Sequence, residues 1–216
     1  EAFECVDRAD GIALAEGLDE VAFFSGTLRG LCERRAGMLD RAQATLHRVE
    51  ALRRPPSGFR FSIFLLLKAS VAFERGETDV AVTMALSALR SSEESGAFGS
   101  IMVQRIVAAN MAIAAGELDL AGELLTRAGL EAAGQTAENY RGAITLNEAW
   151  LAQRQGKEAR RDELLCQALK CARDVRARER FRWHGNAMSE LLPLALARGI
   201  EADMARALAR EFAVAP

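Results

Sequence analysis

Proline, aromatic residues and lysine are all scarce in this chain of 216 residues, and each shortage narrows the fold. Four prolines leave long stretches without the residue that breaks helix interiors. Aromatic side chains make up 6% of the chain although half of it is apolar, so alanine and leucine, both strong helix formers, supply the bulk. Only Lys68, Lys157 and Lys170 are lysines, and the remaining basic residues are arginine. With the alanine richness, that bias looks like the imprint of a GC-rich bacterial genome rather than of a binding surface. Nor is there an excess of positive charge: 28 basic residues face 30 acidic ones, which argues against a domain whose main work is gripping a phosphate backbone.

Other signatures are missing too. No apolar run spans a bilayer, because the stretch 61–73 is interrupted by Lys68 and Ser70, and there is no signal peptide. The expectation is a cytoplasmic chain without a membrane contact. Cys5, Cys32, Cys166 and Cys171 form no C-x-x-C, and His47 and His184 stand at no zinc-ligand spacing to them. Buried free thiols in a reducing compartment are expected. There is no Walker loop, H-E-x-x-H, G-x-S-x-G or carboxylate pair. The chain is therefore expected to have no catalytic residue, metal or cofactor, and not to be an enzyme. His184, beside Trp183 and near Asn186, reads as a partly exposed histidine at a helix start. The arginines at 173, 176, 178, 180 and 182, diluted by Asp174 and Glu179, read as a solvated junction rather than a nucleic-acid surface.

What is present is a repeat. Gly37-Met-Leu-Asp-Arg-Ala42, Gly76-Glu-Thr-Asp-Val-Ala81 and Gly116-Glu-Leu-Asp-Leu-Ala121 share one pattern, with a weaker copy at Gly156 and a divergent one at Gly199. The glycines stand about forty residues apart. Each glycine can close a helix in a left-handed conformation. Asp40, Asp79 and Asp119 then fall in the first turn of the next helix, where negative charge suits the dipole. Apolar residues follow the alanine position at helical steps: Leu46 and Val49, Ala85 and Ala88, Leu125 and Ala128, Leu165 and Ala168. Seven residues before the glycine stands Gly30, Ala69, Ala109 or Ala149, small enough for two antiparallel helices to approach closely.

Each unit is thus helix A, a glycine turn and helix B. The spacing predicts pairs at 19–36 with 39–53, 59–75 with 78–94, 98–115 with 118–133, 137–155 with 158–176, and 179–198 with 201–212. Residues 2–16 form the B helix of a partial unit at 1–16. Pro55 and Pro56, Gly96 and Gly134 mark the junctions. The fourth copy has Arg161 in place of the alanine. The fifth has Leu192 at the small-residue level and Pro193 within its A helix, which predicts a kink. One repeat domain is expected over 1–216, cut from a larger multidomain protein, since the chain opens at Glu1 already within a helical pattern.

The G-x-x-D-x-A core with a small residue upstream and aliphatic residues downstream resembles the tetratricopeptide repeat (TPR), with a period near forty rather than ~34. Units of this length look like the repeat domain of MalT-like (LuxR-type) bacterial transcription regulators, and the tail Leu194–Arg210, with its Gly199-Ile-Glu201, is similar to the end of such domains. The resemblance implies an all-α fold, a right-handed superhelix of tandem antiparallel pairs (a TPR-like α-solenoid). It also implies a signalling ATPase and a DNA-binding module in the same polypeptide, and a concave groove receiving a small-molecule effector or regulatory protein. A generic scaffold for a partner peptide is the alternative. Registering the units on their glycines directs Arg34, Arg35, Ser70, Glu74, Asn110, Trp150, Gln153 and Arg154 toward that groove, and Tyr140 and Trp183 extend it. Ser70, Asn110 and Trp150 are equivalent positions, six before their glycines, and combine a stacking face with hydrogen-bonding groups.

Overall fold

A computed structural model describes residues 2–52, 58–133, 138–181 and 184–212. Among the described residues the chain is all helix: α1 (Ala2–Ala15), α2 (Asp19–Arg35), α3 (Leu39–Glu50), α4 (Phe59–Glu74), α5 (Thr78–Ser95), α6 (Phe98–Ala115), α7 (Leu118–Ala133), α8 (Glu138–Arg154), α9 (Glu158–Cys171), α10 (Val175–Phe181), α11 (Gly185–Arg198) and α12 (Ala202–Glu211). The helices pack in consecutive pairs, α2 with α3, α4 with α5, α8 with α9 and α11 with α12. Two compact units emerge, 1–104 and 105–216, divided within α6.

One turn chemistry closes the pairs. Gly37, Gly76, Gly116, Gly156 and Gly199 all have φ between 69° and 84°, the left-handed region that glycine enters without a Cβ penalty. The residue after each donates its N–H to the carbonyl five positions back: Met38 to Glu33, Glu77 to Ala72, Glu117 to Ala112, Lys157 to Ala152 and Ile200 to Ala195. This closure occupies a carbonyl that the helix end would otherwise orphan. Four residues on, Ala42, Ala81, Ala121 and Arg161 donate the first bond of the next helix back to Met38, Glu77, Glu117 and Lys157. The fifth turn is one residue longer. Glu201 takes φ 43°, and Ala205 makes the corresponding bond to the Glu201 carbonyl. That inserted residue is why the Gly199 copy diverges.

The apolar stripe is where its spacing predicts. Leu46, Val49, Ala85, Ala88, Leu125, Ala128, Leu165 and Ala168 are all buried. In the first unit Leu46 and Val49 join a cluster with Phe23, Ala42, Phe64, Leu67 and Val71, the Phe23 and Phe64 rings 5.0 Å apart. In the second, Ile113, Leu125, Leu146, Leu165, Leu169, Phe181 and Leu191 are fully buried. Each such leucine or phenylalanine contributes roughly 1.5–3 kcal/mol. The small-residue level is a contact level as well: Ala69, Ala109 and Ala149 are inaccessible, and a Cβ on Gly30 would lie 2.5 Å from the Leu67 Cδ2.

Several expectations need correction. The fourth B helix stops at Cys171 and a separate α10 begins at Val175, so 158–176 is not one helix. The Arg178 Nε donates to the Ala172 carbonyl at 3.0 Å, satisfying an acceptor that the break exposes. The fifth A helix, drawn at 179–198, is likewise divided: α10 ends at Phe181 and α11 starts at Gly185, while the helix runs on through Pro193. Arg161 is buried in the place of an alanine because its guanidinium meets Gln153 Oε1 at 2.6 Å and Asp162 Oδ1 at 2.7 Å. His184 is buried, not partly exposed, and its backbone carbonyl accepts the first hydrogen bond of α11 from the Met188 N–H at 3.1 Å. The four thiols are free, but Cys5 is exposed and the others only partly covered. Pro55, Pro56 and Gly134 lie outside the described residues.

Candidate functional site

The predicted recognition residues sit on A helices, and their surroundings follow from how adjacent A helices meet. In the first unit α2 and α4 lie side by side. Arg60 donates to Glu20 at 3.0 Å with its guanidinium 5.8 Å from the Phe24 ring, and Arg34 pairs with Glu74 near the other end. The partners in both ion pairs are 40 residues apart. Arg35 is exposed beside this row. Ser70 is turned inward: it is buried, and its hydroxyl donates to the Leu66 carbonyl of its own helix at 2.8 Å.

In the second unit the same level is an interior layer. Asn110 Nδ2 donates to Asn147 Oδ1 at 2.8 Å, and Asn147 Nδ2 donates to the Ala143 carbonyl at 2.7 Å, so the two amides close a buried bridge between α6 and α8. Trp150 is 1% exposed and its indole N–H has no acceptor. The wall drawn through Ser70, Asn110 and Trp150 therefore presents none of the three to solvent. They were placed by level along the helix, while their rotation around it turns them into the packing layer.

What reaches the surface lies one turn further on. The Arg154 guanidinium stands 6.0 Å from the Trp150 ring centre and pairs with Glu190 at 3.4 Å. A cation–π contact of this kind is worth about 0.5–1 kcal/mol at an exposed site. Gln153 is committed to Arg161. Arg180 lies 4.5 Å above the Tyr140 ring, so the partly buried Tyr140 is already stacked. Trp183 lies outside the described residues. The arginine-rich junction is tied down: Arg173 pairs with Glu201 at 2.6 Å and Arg178 with Glu211 at 3.4 Å.

Titration follows from burial and pairing. His184 is driven down to about 4 by burial alone, and its Nδ1 has no partner. Burial raises the Glu148 carboxyl, with Arg160 opposing it. Slight burial works upward on Asp162, but hydrogen bonds from Arg161 and Arg198 outweigh it and hold that carboxyl below its usual range. Among the described residues no group of histidine, cysteine and carboxylate side chains could hold a metal ion. Among the described residues no helix is long and apolar enough to cross a membrane.

Two polar networks were not foreseen. Asp10 of α1 is buried and receives Ser25, Arg29 and Arg48. Ser62, Ser92, Ser100 and Gln104 form a second interior cluster in the first unit. The forty-residue ion pairs were legible in principle: aligning the copies brings opposite charges to within one position of the same level. The fold and this face define the class as all-helical, built of successive helix pairs with charged side chains bridging neighbouring A helices. Compared with known proteins, the chain matches no family model, no curated protein and no solved structure.

Proposed function

We propose that the chain is a TPR-like α-solenoid, with units recurring about every forty residues, that works as a non-catalytic interaction domain. In this reading it is the sensing segment of a MalT-like bacterial transcription regulator and acts in the cytoplasm. Partner binding would bias an ATPase and a DNA-binding module in the same polypeptide, by favouring one arrangement of the whole. The observation that carries the interaction reading is the set of charged pairs that bridge neighbouring A helices within each unit. Glu20 with Arg60, Arg34 with Glu74 and Arg154 with Glu190 form surfaces of alternating sign. Charges of that kind suit a protein partner, for which they give register and encounter rate. Trp150 supports Arg154 from below rather than touching the partner.

The test is affinity capture with the chain and with an Arg34→Glu, Arg154→Glu double variant, followed by titration of the purified partner. Binding weakened at least tenfold in the double variant is expected. A partner that binds both equally would place the interaction elsewhere. The regulator reading further requires an ATPase and a DNA-binding module in the same gene product. A gene product without them leaves the plain scaffold for a partner peptide, which the same charged rows equally suit.

A further inference from the structure

Eight residues before the turn glycine, α2 and α4 each carry a cation, Arg29 and Lys68. Both are neutralised by the preceding B helix: Arg29 pairs with Asp7 and Asp10 of α1, and Lys68 with Glu50 of α3. At the first of these junctions the following B helix adds Arg48, which reaches Asp10 at 3.3 Å.

The same place in α8 is Glu148, a carboxylate where the other two helices have a cation. Glu50 stands thirteen residues after Gly37, and thirteen after Gly116 is Gly129 of α7. Nothing lies within 4 Å of where a Cβ on Gly129 would be. Helix α7 packs along α8, and Leu151 Cδ2 lies 3.8 Å from the place a Cβ on Gly122 would take. Counted from that contact, Gly129 is about one turn from the level of Glu148. The counterpart of Arg48 in α9 is Gln167, which is uncharged. The A-helix charge is thus reversed, and neither flanking B helix answers it from the corresponding position.

Glu148 is half-buried, and among the described residues no group forms a hydrogen bond or ion pair with it. Burial pushes its carboxyl up, opposed by Arg160 of α9, which is itself paired with Glu163 at 2.6 Å. Glu148, Arg160 and Glu163 together leave one net negative charge. A carboxylate drawn part-way into the protein without a bonding partner costs stability, and such breaks in a repeated rule fall at functional positions.

We infer that Glu148 anchors a binding site for a primary ammonium group, seated over Gly129 between α7 and α9. The ligand supplies the opposite charge that the first unit carries in its own sequence. Ammonium suits the place better than guanidinium, because the opening left by one missing side chain fits a compact donor rather than a planar fork. Gln167, by the same counting, offers an amide carbonyl from the α9 side. Arg154 meets Glu190 of α11 whereas Glu148 nears Arg160 of α9, so this site and the pairs between A helices can fail independently.

The full chain, isotope-labelled, is titrated with n-butylammonium chloride and followed by NMR at the Glu148 carboxyl and the Gly129 amide. Saturation below about 100 mM is expected, the scale of one partly buried ion pair. Tetramethylammonium has the same charge and no N–H donor, and should give no saturable shift at equal ionic strength. Glu148→Gln should weaken butylammonium at least tenfold without lowering the urea midpoint, since it removes an unpaired carboxylate. Gly129→Lys tethers an ammonium in the site. It should block butylammonium and raise the urea midpoint above that of Gly129→Ala, a gain that should vanish when Glu148→Gln is added. An end-capped Ala-Ala-Lys-Ala-Ala peptide that binds more tightly than butylammonium assigns the ammonium to a lysine of a partner protein. A peptide that binds no more tightly assigns it to a small amine. The inference is overturned if butylammonium does not saturate, if tetramethylammonium reproduces its shifts, or if Glu148→Gln leaves the titration unchanged.

Discussion

Single residues set how closely the helices approach, and two glycines show the limit. A Cβ on Gly26 would fall 2.6 Å from Val49 Cγ2, and one on Gly30 would fall 2.5 Å from Leu67 Cδ2. Valine is stiff about its first torsion, whereas the leucine methyl is at the end of a rotatable chain. Gly26→Ala should therefore destabilise by about 1–3 kcal/mol in urea unfolding, and more than Gly30→Ala, despite alanine's better helix propensity. Gly129, with nothing within 4 Å of its missing Cβ, is the control: Gly129→Ala should stabilise by about 0.5–1 kcal/mol. His184 sets a pH dependence. Its folded value near 4 lies below that of the unfolded chain, so the unfolded state takes the proton first and stability falls as pH drops from about 6.5 toward 4. The loss over that window is about 3 kcal/mol at most. Chemical unfolding at pH 7 and pH 4.5 should show it, and His184→Gln should flatten the difference.

At the scale of elements the turn glycines dominate. Gly76 has φ 81° with open space around it, so Gly76→Ala changes only the backbone preference and should cost about 1–2 kcal/mol. Equilibrium unfolding gives that figure directly. Most helix ends could be read in the sequence because this closure is local, requiring a glycine and the carbonyls before it. The 171–185 region could not, since its break depends on Arg178 reaching Ala172 and on a buried His184, neither of which is visible as periodicity. The candidate site was legible only in part. Glycine registration placed Arg34, Glu74 and Arg154 near one another's levels correctly, but it carries no information about rotation around the helix axis. Ser70, Asn110 and Trp150 therefore entered the packing layer. Asp10 resisted reading for a different reason: an acidic residue at a core position looks like an error until its three partners from α2 and α3 are seen.

For the whole molecule, pairing between neighbours predicts local responses. If stability is a sum over helix pairs and their immediate contacts, damage should stay near its origin. Hydrogen exchange on the Gly76→Ala variant should accelerate in α4 and α5 and leave α8 and α9 at wild-type protection. Uniform acceleration would instead indicate one cooperative body. Salt offers a second test at this scale. The pairs between A helices, Glu20 with Arg60 and Arg154 with Glu190, have both side chains at least 40% exposed. Raising sodium chloride from 0.15 M to 1 M should change unfolding free energy by less than about 1 kcal/mol, because screened surface pairs contribute little.

The shared closure at Gly37, Gly76, Gly116 and Gly156 makes these four hairpins interchangeable at their seams, since the bond entering each B helix and the bond leaving each A helix join the same relative positions. Unequal recombination between copies of such a gene would add or remove one helix pair and leave the closure on either side of it unchanged. Array length can then drift over generations far more readily than the chemistry of any one turn, and the reach of the surface can change while its grammar is inherited intact.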